Sequence, residues 1–401
     1  MKKILFLGAA TFQIPPIQYA LDAGYEVITA DYLPDNPGHR LAHRAHVVST
    51  IDREAILRVA QQEQIDGIMT FGSDVSAPTA AYVAAQMGLP GNPLDAVETL
   101  TDKARFRACL NRSGIQPLAH RGFAEGQFDA AMAYLNSAEL PLVIKPVDSS
   151  GSKGVSILRD RAKAHEQLTY AFDHSIAAKR IVIEQYVQKH GKQVCGDGFV
   201  VNGKLAFVGF GDGHFYDDGH FLAPYAETFP GTHSAEIYQR VRNKLQQIIT
   251  AVGLQRGAFN LDVLVRPSGE PFIIEIGPRN GGNFIPRALH LNYGVDTVGA
   301  SVESALDAGY QLPAPSKTDG AFYACYMVHS RSAGRLVGLD YADEIRPNLF
   351  ETNAYLDAGA SVNPFHKANA AIGNLIFRFE TFEEMQSKMA KINSLVMVKL
   401  N

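Results

Sequence analysis

The first hundred residues alternate between short apolar runs and segments with helical periodicity, and this alternation constrains the fold most strongly. Three apolar runs have the length and composition of strands: ILFLG, EVITAD and DGIMTFGSD. Helical segments separate them, so the order is βαβαβ, which predicts a parallel sheet with right-handed crossovers. Ligands usually bind at the carboxyl ends of such strands, here near Gly8, Asp31 and Ser73–Asp74.

The turn after the first strand argues against a dinucleotide site. A G-x-G-x-x-G fingerprint needs small residues where the pyrophosphate approaches the backbone. The turn begins at Gly8 but carries Phe12 and Gln13 where small residues are needed. Asp31 supplies an acid after the second strand, but an acid there is common. An NAD-dependent oxidoreductase is therefore disfavoured, and we expect a sheet domain without a dinucleotide.

Composition excludes further classes of protein. The chain has 401 residues, enough for roughly two to three domains, and 46% of them are hydrophobic. The formal net charge is −4 and no block of like charge forms a tail, so nucleic acid is not an expected partner. The three cysteines are far apart and form no CxxC pair, which fits a reducing compartment.

The N-terminal stretch MKKILFLGAATFQIPP superficially resembles a targeting segment. Its apolar run is short, and Gln13, Pro15 and Pro16 break it, so a buried first strand is the better interpretation. No apolar stretch approaches the roughly 20 residues of a membrane helix. We therefore expect a cytoplasmic protein with no membrane partner.

The pattern changes near Thr101, where alternation gives way to runs of strands with separate helices. Thr101 is predicted to cap a helix that runs to Arg112. The strands beyond it favour an α+β region. Residues 209–234 are rich in Gly, His, Asp and aromatic side chains and look too irregular for a strand. The predicted domains are 1–100, 101–312 and 313–401.

The stretch VIKPVDSSGSKGVSIL, residues 143–158, has the composition of a phosphate-binding loop but not the spacing of a P-loop. A Walker A motif needs Ser or Thr after its lysine and then a helix, whereas Gly154 and a strand-like run follow Lys153. We therefore predict a hairpin with its tip at 148–153. Gly and Ser let successive backbone N–H groups converge on an anion, and a hairpin tip can close as a lid. A solvated turn is the alternative.

Two acidic residues in GAFNLDVLVRPSGEPFIIEIGPRNGGN are predicted to face each other across a second hairpin. With the turn centred on Ser268–Gly269, Asp262 pairs with Glu275. Nearer the turn, Leu264 pairs with Ile273. Strand alternation puts both carboxylates on one side of the sheet, where they repel each other unless a cation lies between them. Because Mg²⁺ binds one or two carboxylates together with phosphate oxygens, we favour a magnesium site over incidental surface acids.

Arg279 follows this hairpin in the Gly-rich loop GPRNGG, near the predicted metal site. A guanidinium there can hold a carboxylate or a phosphoryl group through two parallel hydrogen bonds. An ordinary surface arginine is the alternative.

The order of these features resembles the ATP-grasp superfamily, and within it the carboxylate–amine ligases such as the L-amino-acid ligases. Carbamoyl-phosphate synthase and biotin carboxylase are related. The order is a sheet domain, a helix with Lys103, a strand with Lys145, the Gly/Ser hairpin, the run IVIEQYV and the hairpin that ends in EIGPRNGG. The resemblance implies an N-terminal Rossmann-like domain, a central ATP-grasp domain with a lid at about 115–187, and a small C-terminal α+β domain.

The resemblance also implies roles for residues at matching positions. Lys103 and Lys145 would contact the phosphates of ATP, and Asp262 and Glu275 would bind Mg²⁺. Arg279 would steady an acyl-phosphate and the tetrahedral intermediate, so Lys145 and Arg279 are the expected catalytic residues. The other expected ATP contacts are Ser149, Ser150, Gly151, Ser152, Lys153 and Gly154 in the lid, Glu184, Gln185, Tyr186 and Val187 at the adenine, and Gln193 at the ribose.

Two positions depart from the family pattern. Gln193 replaces an acid that bonds the ribose, and Gly277 replaces an asparagine that contacts the second metal ion. Asn280 and Asn283 are candidate substitutes for that contact. The resemblance thus leaves open whether one or two Mg²⁺ ions bind, with Mn²⁺ as a substitute.

The implied reaction joins a carboxylate to an amine through an acyl-phosphate, with ATP converted to ADP and phosphate. Amino acids are the expected substrates, and a homodimer is the assembly considered. An amine is expected to contact His220 or Glu227, both within residues 209–234. Further candidate substrate contacts are Gly281, Gly282 and Asn283.

Two alternative functions remain. Bicarbonate is the acid in one, as in biotin carboxylase, the purine-pathway carboxylases or a carbamoyl-phosphate-synthase-like enzyme. The other is a non-catalytic ATP sensor, which the departures at Gln193 and Gly277 keep under consideration. The presence of both lysines, both acids and the arginine argues against a sensor.

Overall fold

The computed structural model describes residues 1–216, 222–365 and 370–401. The N-terminal part is a parallel four-stranded sheet in the order β3-β2-β1-β4; the sequence predicts its parallel character and the strands β1, β2 and β4, but not β3. Its strands are β1 (Lys3–Leu7), β2 (Glu26–Asp31), β3 (Arg44–Val47) and β4 (Gly67–Thr70). Its helices are α1 (Ile14–Asp22), α2 (Pro37–Leu41), α3 (Arg53–Glu63) and α4 (Ala77–Met87).

Two helices, α5 (Leu94–Thr101) and α6 (Lys103–Arg112), connect this sheet to the rest of the chain. The expectation that Thr101 caps the second helix is wrong, because Thr101 is the last residue of α5. Asp102 is the cap instead, and its carboxylate accepts hydrogen bonds from the backbone N–H groups of Ala104 and Arg105. An aspartate in this position satisfies donors that the helix itself leaves free.

Residues 120–185 form a separate antiparallel sheet in the order β5-β8-β6-β7, within the segment predicted as the lid. Its strands are β5 (His120–Ala124), β6 (Leu142–Pro146), β7 (Ser156–Leu158) and β8 (Arg180–Gln185). Helices α7 (Phe128–Ser137) and α8 (Ala164–Asp173) pack on it. Strands β6 and β7 pair as the predicted hairpin, with Ile144 opposite Ser156.

The rest of the chain contributes to an eight-stranded sheet and a three-stranded one. Its strands are β9 (Gln193–Val201), β10 (Lys204–His214), β11 (Ala226–Phe229), β12 (Arg256–Val265), β13 (Pro271–Gly277), β14 (Phe322–Val328), β15 (Gly334–Tyr341), β16 (Leu349–Ala354), β17 (Ser361–Val362), β18 (Gly373–Phe379) and β19 (Val396–Leu400). Its helices are α9 (Ala235–Val252), α10 (Ile285–Tyr293), α11 (Thr297–Leu306), α12 (Phe382–Met389) and α13 (Ile392–Leu395). Single 3₁₀ turns occur at Thr11–Gln13, Glu125–Gln127, Arg161–Lys163 and Arg346–Asn348.

The large sheet has the order β13-β12-β9-β10-β11-β14-β18-β16, so β13 is an edge strand. Residues 209–234, expected to contain no strand, in fact supply the end of β10 and all of β11. The sheet also continues across the predicted boundary at residue 312, because β11 pairs with β14. The three-stranded sheet has the order β17-β15-β19.

Apolar packing fixes the orientation of the large sheet. Helix α9 covers one face, where Leu245 and Ile248 share a core with Leu261 on β12. Helix α11 packs instead on the N-terminal sheet, and its Val302 lies in one core with Ile4 and Ile17. Within the three described ranges, no helix combines the length and hydropathy needed to cross a bilayer.

Candidate active site

Asp262 on β12 and Glu275 on β13 lie directly opposite each other, as predicted. The predicted register nearer the turn is wrong, because Leu264 pairs with Phe272 and not with Ile273. A β-bulge between these two regions of the hairpin adds one residue to β13 and restores the pairing of the acids. Both carboxylates therefore lie on the face of the sheet opposite helix α9.

The environment of this pair fits a bound cation. Burial and the neighbouring Glu275 carboxylate raise the pKa of Asp262 to about 7, although the Gln193 amide donates a 2.7 Å hydrogen bond to it. Two partly buried carboxylates that repel each other in this way gain stability from a shared positive charge. Oxygen ligands are what Mg²⁺ prefers, so the donor set is suitable for that ion. Gln193 thus contacts a carboxylate, and its predicted contact with the ribose stays a prediction.

Lys103 connects the acidic pair to the predicted phosphate loop. It is the first residue of α6, and its Nζ lies 3.4 Å from Oε2 of Glu275. The same Nζ donates a 2.6 Å hydrogen bond to the backbone oxygen of Ser149. A lysine between a carboxylate and a loop of this kind is well placed to bind a phosphate group.

Lys145 belongs to a buried cluster of charges. Its Nζ donates to Oε1 of Glu184 at 2.5 Å, and Arg107 Nε donates to Oε2 of the same carboxylate at 2.8 Å. Burial lowers the pKa of Lys145 to about 8, against the opposing effect of Glu184. Although burial acts in the opposite direction, Arg107 and Lys145 together lower the pKa of Glu184 to about 2. The carboxylate is therefore ionised and holds the lysine in place.

The loop between β6 and β7 is anchored at its base by Asp148. This carboxylate accepts four hydrogen bonds: from Ser175 Oγ at 2.8 Å and from the backbone N–H groups of Ile176, Ala177 and Ala178 at 3.1, 2.7 and 2.7 Å. Asp148 thus fixes the loop to the segment before β8. It contacts protein groups, whereas the predicted phosphate contacts begin at the next residue.

The tip of this loop makes its own contacts. Ser149 Oγ donates to the backbone oxygen of Lys153 at 2.6 Å, and Ser152 Oγ donates to the backbone oxygen of Leu222 at 2.9 Å. Gly154 has a φ of +74°, and a Cβ on it would lie 2.6 Å from Pro146 and 2.7 Å from His174. The loop conformation therefore requires glycine at its end, while Ser150 and Gly151 complete the tip.

Arg279 forms an ion pair with Asp74, which belongs to the N-terminal part of the molecule. Its Nε donates to Oδ1 of Asp74 at 2.9 Å, and Nη2 donates to Oδ2 of the same carboxylate. Asp74 follows β4, at the strand ends where the sequence predicts a ligand. A Cβ on Gly277 would lie 2.5 Å from Oδ1 of Asp74 and 3.1 Å from Cζ of Arg279. Glycine at this position thus makes room for the ion pair.

Glu227 on β11 lies on the same face of the sheet, in a second acidic region. Burial, followed by the Asp262 and Asp197 carboxylates, raises the pKa of Glu227 well above its usual range, although Asn283 donates a hydrogen bond to it. Its Oε2 is buried and has no hydrogen-bond partner in the part of the chain that the structure describes. An acid with a free buried oxygen is a candidate for contact with a substrate.

Asp197 on β9 lies beside this region and was not singled out from sequence. It accepts hydrogen bonds from the backbone N–H of Gly281 at 2.7 Å and from the Asn260 amide at 3.0 Å. Burial raises its pKa to about 6. Gly281 thus supports an acid through its backbone, whereas a Cβ on Gly282 would meet no other atom within 4 Å.

The suggestion that Asn280 supplies the missing metal contact is wrong. Its amide donates to the backbone oxygen of Thr297 at 3.2 Å and accepts from Ser301 Oγ at 2.9 Å, so the side chain faces helix α11. Asn283 faces Glu227 instead, which places it with the predicted substrate contacts. His220 lies outside the described residues.

The predicted adenine hinge, Glu184 to Val187, begins in the last two residues of β8 and continues beyond that strand. The backbone N–H of Gln185 donates to Ala119 at 3.0 Å, and that of Tyr186 donates to Pro141 at 3.2 Å. These two groups are thus used within the lid sheet. Glu184 contacts Lys145 and Arg107 through its side chain, and the role of Glu184 to Val187 at the adenine stays a prediction.

Comparison with known proteins identifies the domain that carries this site. Residues 138–287 match the family model described as the ATP-grasp domain. The chain contains an ATP-grasp domain. The matched residues include Lys145, the predicted phosphate loop, Glu184, both paired acids and Arg279. The resemblance and the fold predicted from the sequence are therefore confirmed, and the match agrees with the predicted class of ATP-dependent ligases that use Mg²⁺.

Two curated relatives cover most of the chain. An uncharacterized protein, y4rH of Sinorhizobium fredii, is 24% identical over 326 residues, which are 79% of this chain and 65% of that protein. A formate-dependent phosphoribosylglycinamide formyltransferase of Burkholderia vietnamiensis is 27% identical over 300 residues, 69% of each protein. The chain thus spans about two thirds of the length of the curated relatives it matches.

Solved structures share the whole fold. The L-amino acid ligase from Bacillus licheniformis superposes with a TM-score of 0.82 at 18% identity, over 100% of this chain and 99% of that one. Phosphoribosylglycinamide synthetase from Anaerococcus prevotii gives a TM-score of 0.76 at 19% identity, over 100% of both chains. At these identities the similarity establishes the fold alone.

Proposed function

We propose that this protein is an ATP-dependent carboxylate–amine ligase. The observation that carries the proposal is the convergence of an opposed pair of acids, Asp262 and Glu275, with Lys103 at 3.4 Å from Glu275. The acids fit Mg²⁺ and Lys103 fits a phosphate group, so the site has the charges that an Mg²⁺–nucleotide needs. Among solved structures with this fold is an L-amino acid ligase.

The reaction requires activation of the carboxylate, which is a poor electrophile near neutral pH. One of its oxygens forms a bond to the γ-phosphorus of ATP as the bond from that phosphorus to the β–γ bridging oxygen breaks, and ADP leaves. Lys103 and Lys145 would bind and orient the phosphates in this step. Asp262 and Glu275 would hold Mg²⁺, which supplies further neutralisation of the phosphate charge.

The second step joins the amine to the activated acid. The nitrogen attacks the acyl carbon, phosphate leaves, and the nitrogen loses a proton. Arg279 would hold the acyl-phosphate, because its charge and planar geometry suit phosphoryl oxygens. Glu227 is the candidate contact for the amine, since its free buried oxygen faces the same side of the sheet. We propose amino acids as substrates, and His220 and a homodimer remain predictions.

A one-carbon acid is the second candidate substrate. The relatives that suggest it are formate-dependent formyltransferases, one of which matches 69% of this chain. Formate would take the place of the amino acid in the same first step, and bicarbonate is the corresponding alternative predicted from sequence. These candidates differ in the acid and share the phosphoryl transfer.

The test is a screen for ADP release with Mg²⁺ and ATP. Amino acids would be supplied singly and in pairs, with formate and bicarbonate in separate arms, and hydroxylamine would trap any acyl-phosphate as a hydroxamate. We expect ADP release with an amino acid, and none in Glu275→Gln, which keeps the size of the side chain. Release with formate or bicarbonate alone would select the one-carbon acid. No release under any condition, with ATP still bound tightly, would refute a ligase and favour a sensor.

A further inference from the structure

We propose that Arg107 is a positioning residue that sets the metal-binding Glu275 and the phosphate-binding Lys145 relative to each other. The inference rests on the function proposed above and goes beyond it, because Arg107 is not among the residues proposed to bind substrate or metal. Arg107 lies one helical turn after Lys103 on α6, and its side chain is 1% exposed.

Arg107 bonds the edge of the large sheet. Among the described strands, β13 has a partner on one side only, so its outer backbone groups need other partners. Arg107 donates to the backbone oxygens of Ile273 at 3.0 Å and Ile274 at 2.6 Å. The Gln116 side chain bonds both backbone groups of Ile273: it donates to the oxygen at 2.9 Å and accepts from the N–H at 2.7 Å. Two side chains thus replace the missing strand.

These contacts lie at the bulge that brings Glu275 opposite Asp262. Ile274 is the additional residue of β13, between the pair formed by Ile273 and the pair formed by Glu275. A bulge is a weak point of a ladder because its extra residue has no cross-strand partner. Fixing both carbonyls before Glu275 therefore fixes the direction in which its carboxylate points.

The other end of the same guanidinium bonds the acid that holds Lys145. Its Nε donates to Glu184 at 2.8 Å, and Glu184 accepts from Lys145 at 2.5 Å. All three guanidinium nitrogens are therefore in use, two on β13 and one on the acid that holds the lysine. The centre of the Phe272 ring lies 5.0 Å from Arg107 Cζ, a cation–π contact that helps hold the guanidinium in place.

Only an arginine can make these connections at once. A lysine would reach one of the acceptors but lacks the planar fork that bonds several in fixed directions. We therefore expect the distance between metal and phosphate sites to change in Arg107→Lys. Replacing a group that orients a metal ligand through hydrogen bonds typically changes metal affinity by about 10- to 100-fold.

The experiment compares metal binding with nucleotide binding. Binding of Mn²⁺ would be measured by electron paramagnetic resonance in the presence of ADP, and ADP affinity by calorimetry in EDTA. We expect Arg107→Lys to weaken Mn²⁺ binding by about 10-fold or more, well beyond its effect on metal-free ADP affinity. The matched control is Arg105→Lys on the same helix, where the side chain is 39% exposed and pairs with Asp95 and Glu98. This control should bind Mn²⁺ as the wild type does.

Gln116→Leu provides a second variant in case Arg107→Lys does not fold. It removes only the contacts to Ile273, so Mn²⁺ affinity should fall while metal-free ADP affinity stays unchanged. Wild-type Mn²⁺ affinity in both variants, or in Gln116→Leu alone if the other does not fold, would overturn the proposal. Because both readouts are equilibrium measurements, they decide the role of Arg107 even if the wild type releases no ADP.

Discussion

Lys145 is the residue on which the ionisation of the site depends most directly. Its pKa is about 8 because the ammonium is buried, and only the protonated form attracts phosphate. The lysine is charged below that pH and neutral above it, so kcat/KM for ATP should fall by about 10-fold between pH 7 and pH 9. Rates at saturating ATP should fall less, since bound phosphate favours the charged form. A kcat/KM that stays flat to pH 9.5 would contradict the assignment.

The two lysines of the hairpin should differ in importance. Lys145 lies on strand β6 and is ion-paired with Glu184, whereas Lys153 lies at the tip of the loop. Lys145→Ala should therefore abolish ADP release, and Lys153→Ala should mainly raise the KM for ATP. Steady-state kinetics of both variants would measure the difference. Equal and mild effects would mean that the hairpin is only a turn.

Gly277 is one of the two positions that depart from the pattern of the ligases this chain resembles, and the structure gives a physical reason. A Cβ there would approach Asp74 at 2.5 Å, closer than any normal contact. Restoring the family residue in Gly277→Asn should therefore separate Asp74 from Arg279 and lower the rate by about 10-fold or more. Asp74→Ala breaks the same ion pair, so the double variant should be no slower than Asp74→Ala alone, and this non-additivity would show the coupling. A fully active Gly277→Asn would refute it.

The pairing of Asp262 with Glu275 was predicted correctly from the sequence, but from a register that is partly wrong. The predicted register near the turn is wrong by one residue, and the bulge at Ile274 compensates for that error. A bulge shifts strand alternation by one residue, but Ile273 and Ile274 are both apolar, so the sequence pattern does not reveal it. Arg107 was missed although it lies four residues after Lys103, a spacing that places both on one helical face.

Among the elements, the β6–β7 hairpin depends on Asp148 for its attachment. Its four hydrogen bonds lower the pKa of this half-buried carboxyl despite the opposing effect of burial. Asp148→Ala should reduce the free energy of unfolding by about 1–3 kcal/mol at pH 7, as expected for loss of charged hydrogen bonds. This stability is present above the ordinary carboxyl pKa and is lost as the pH falls through the lowered one.

Urea denaturation at pH 7 and at about pH 3 would test this account. The difference between wild type and Asp148→Ala should shrink at the lower pH, because the wild-type carboxylate is then partly protonated. Asp160→Ala is a suitable control, since Asp160 caps a short turn on the same sheet and accepts one backbone hydrogen bond there. A difference independent of pH would mean that the charge of Asp148 is unimportant.

Elements with strong periodicity, or with Gly and Pro residues at their ends, were predictable from the sequence, and others were not. The sequence indicated β6, β7 and the hairpin between them. It did not indicate β11, because its four residues follow a Gly- and His-rich segment and one of their two partner strands, β14, lies about a hundred residues later. Pairing over such a distance depends on the assembled sheet and leaves no local signal.

In the whole molecule, the N-terminal sheet meets the ATP-grasp domain at the candidate active site, through Asp74 and Arg279. Helix α11 is fastened to that sheet through Val302, although it follows the paired acids in sequence. The contact that reaches the site is Asp74, at the carboxyl end of β4. The expected ligand site at these strand ends thus holds an arginine of the other domain, which no reading of either part alone would predict.

This arrangement makes Asp74 a test of cooperation between the two parts. Its carboxylate neutralises and directs Arg279, and Asp74, followed by Glu275, raises the pKa of that arginine against the effect of burial. Asp74→Asn keeps the shape but removes the charge, so Arg279 should turn toward the acids at the metal site. The rate of hydroxamate formation should then fall by about 10- to 100-fold, because a misplaced group costs about that much. Metal-free ADP affinity should not change, since Arg279 contacts no predicted nucleotide group.

Asp35→Asn, an exposed substitution in the same sheet domain, should leave both quantities unchanged. If Asp74→Asn instead weakened ADP binding and left the hydroxamate rate intact, the N-terminal sheet would serve the nucleotide, and Arg279 would have no part in holding the activated acid.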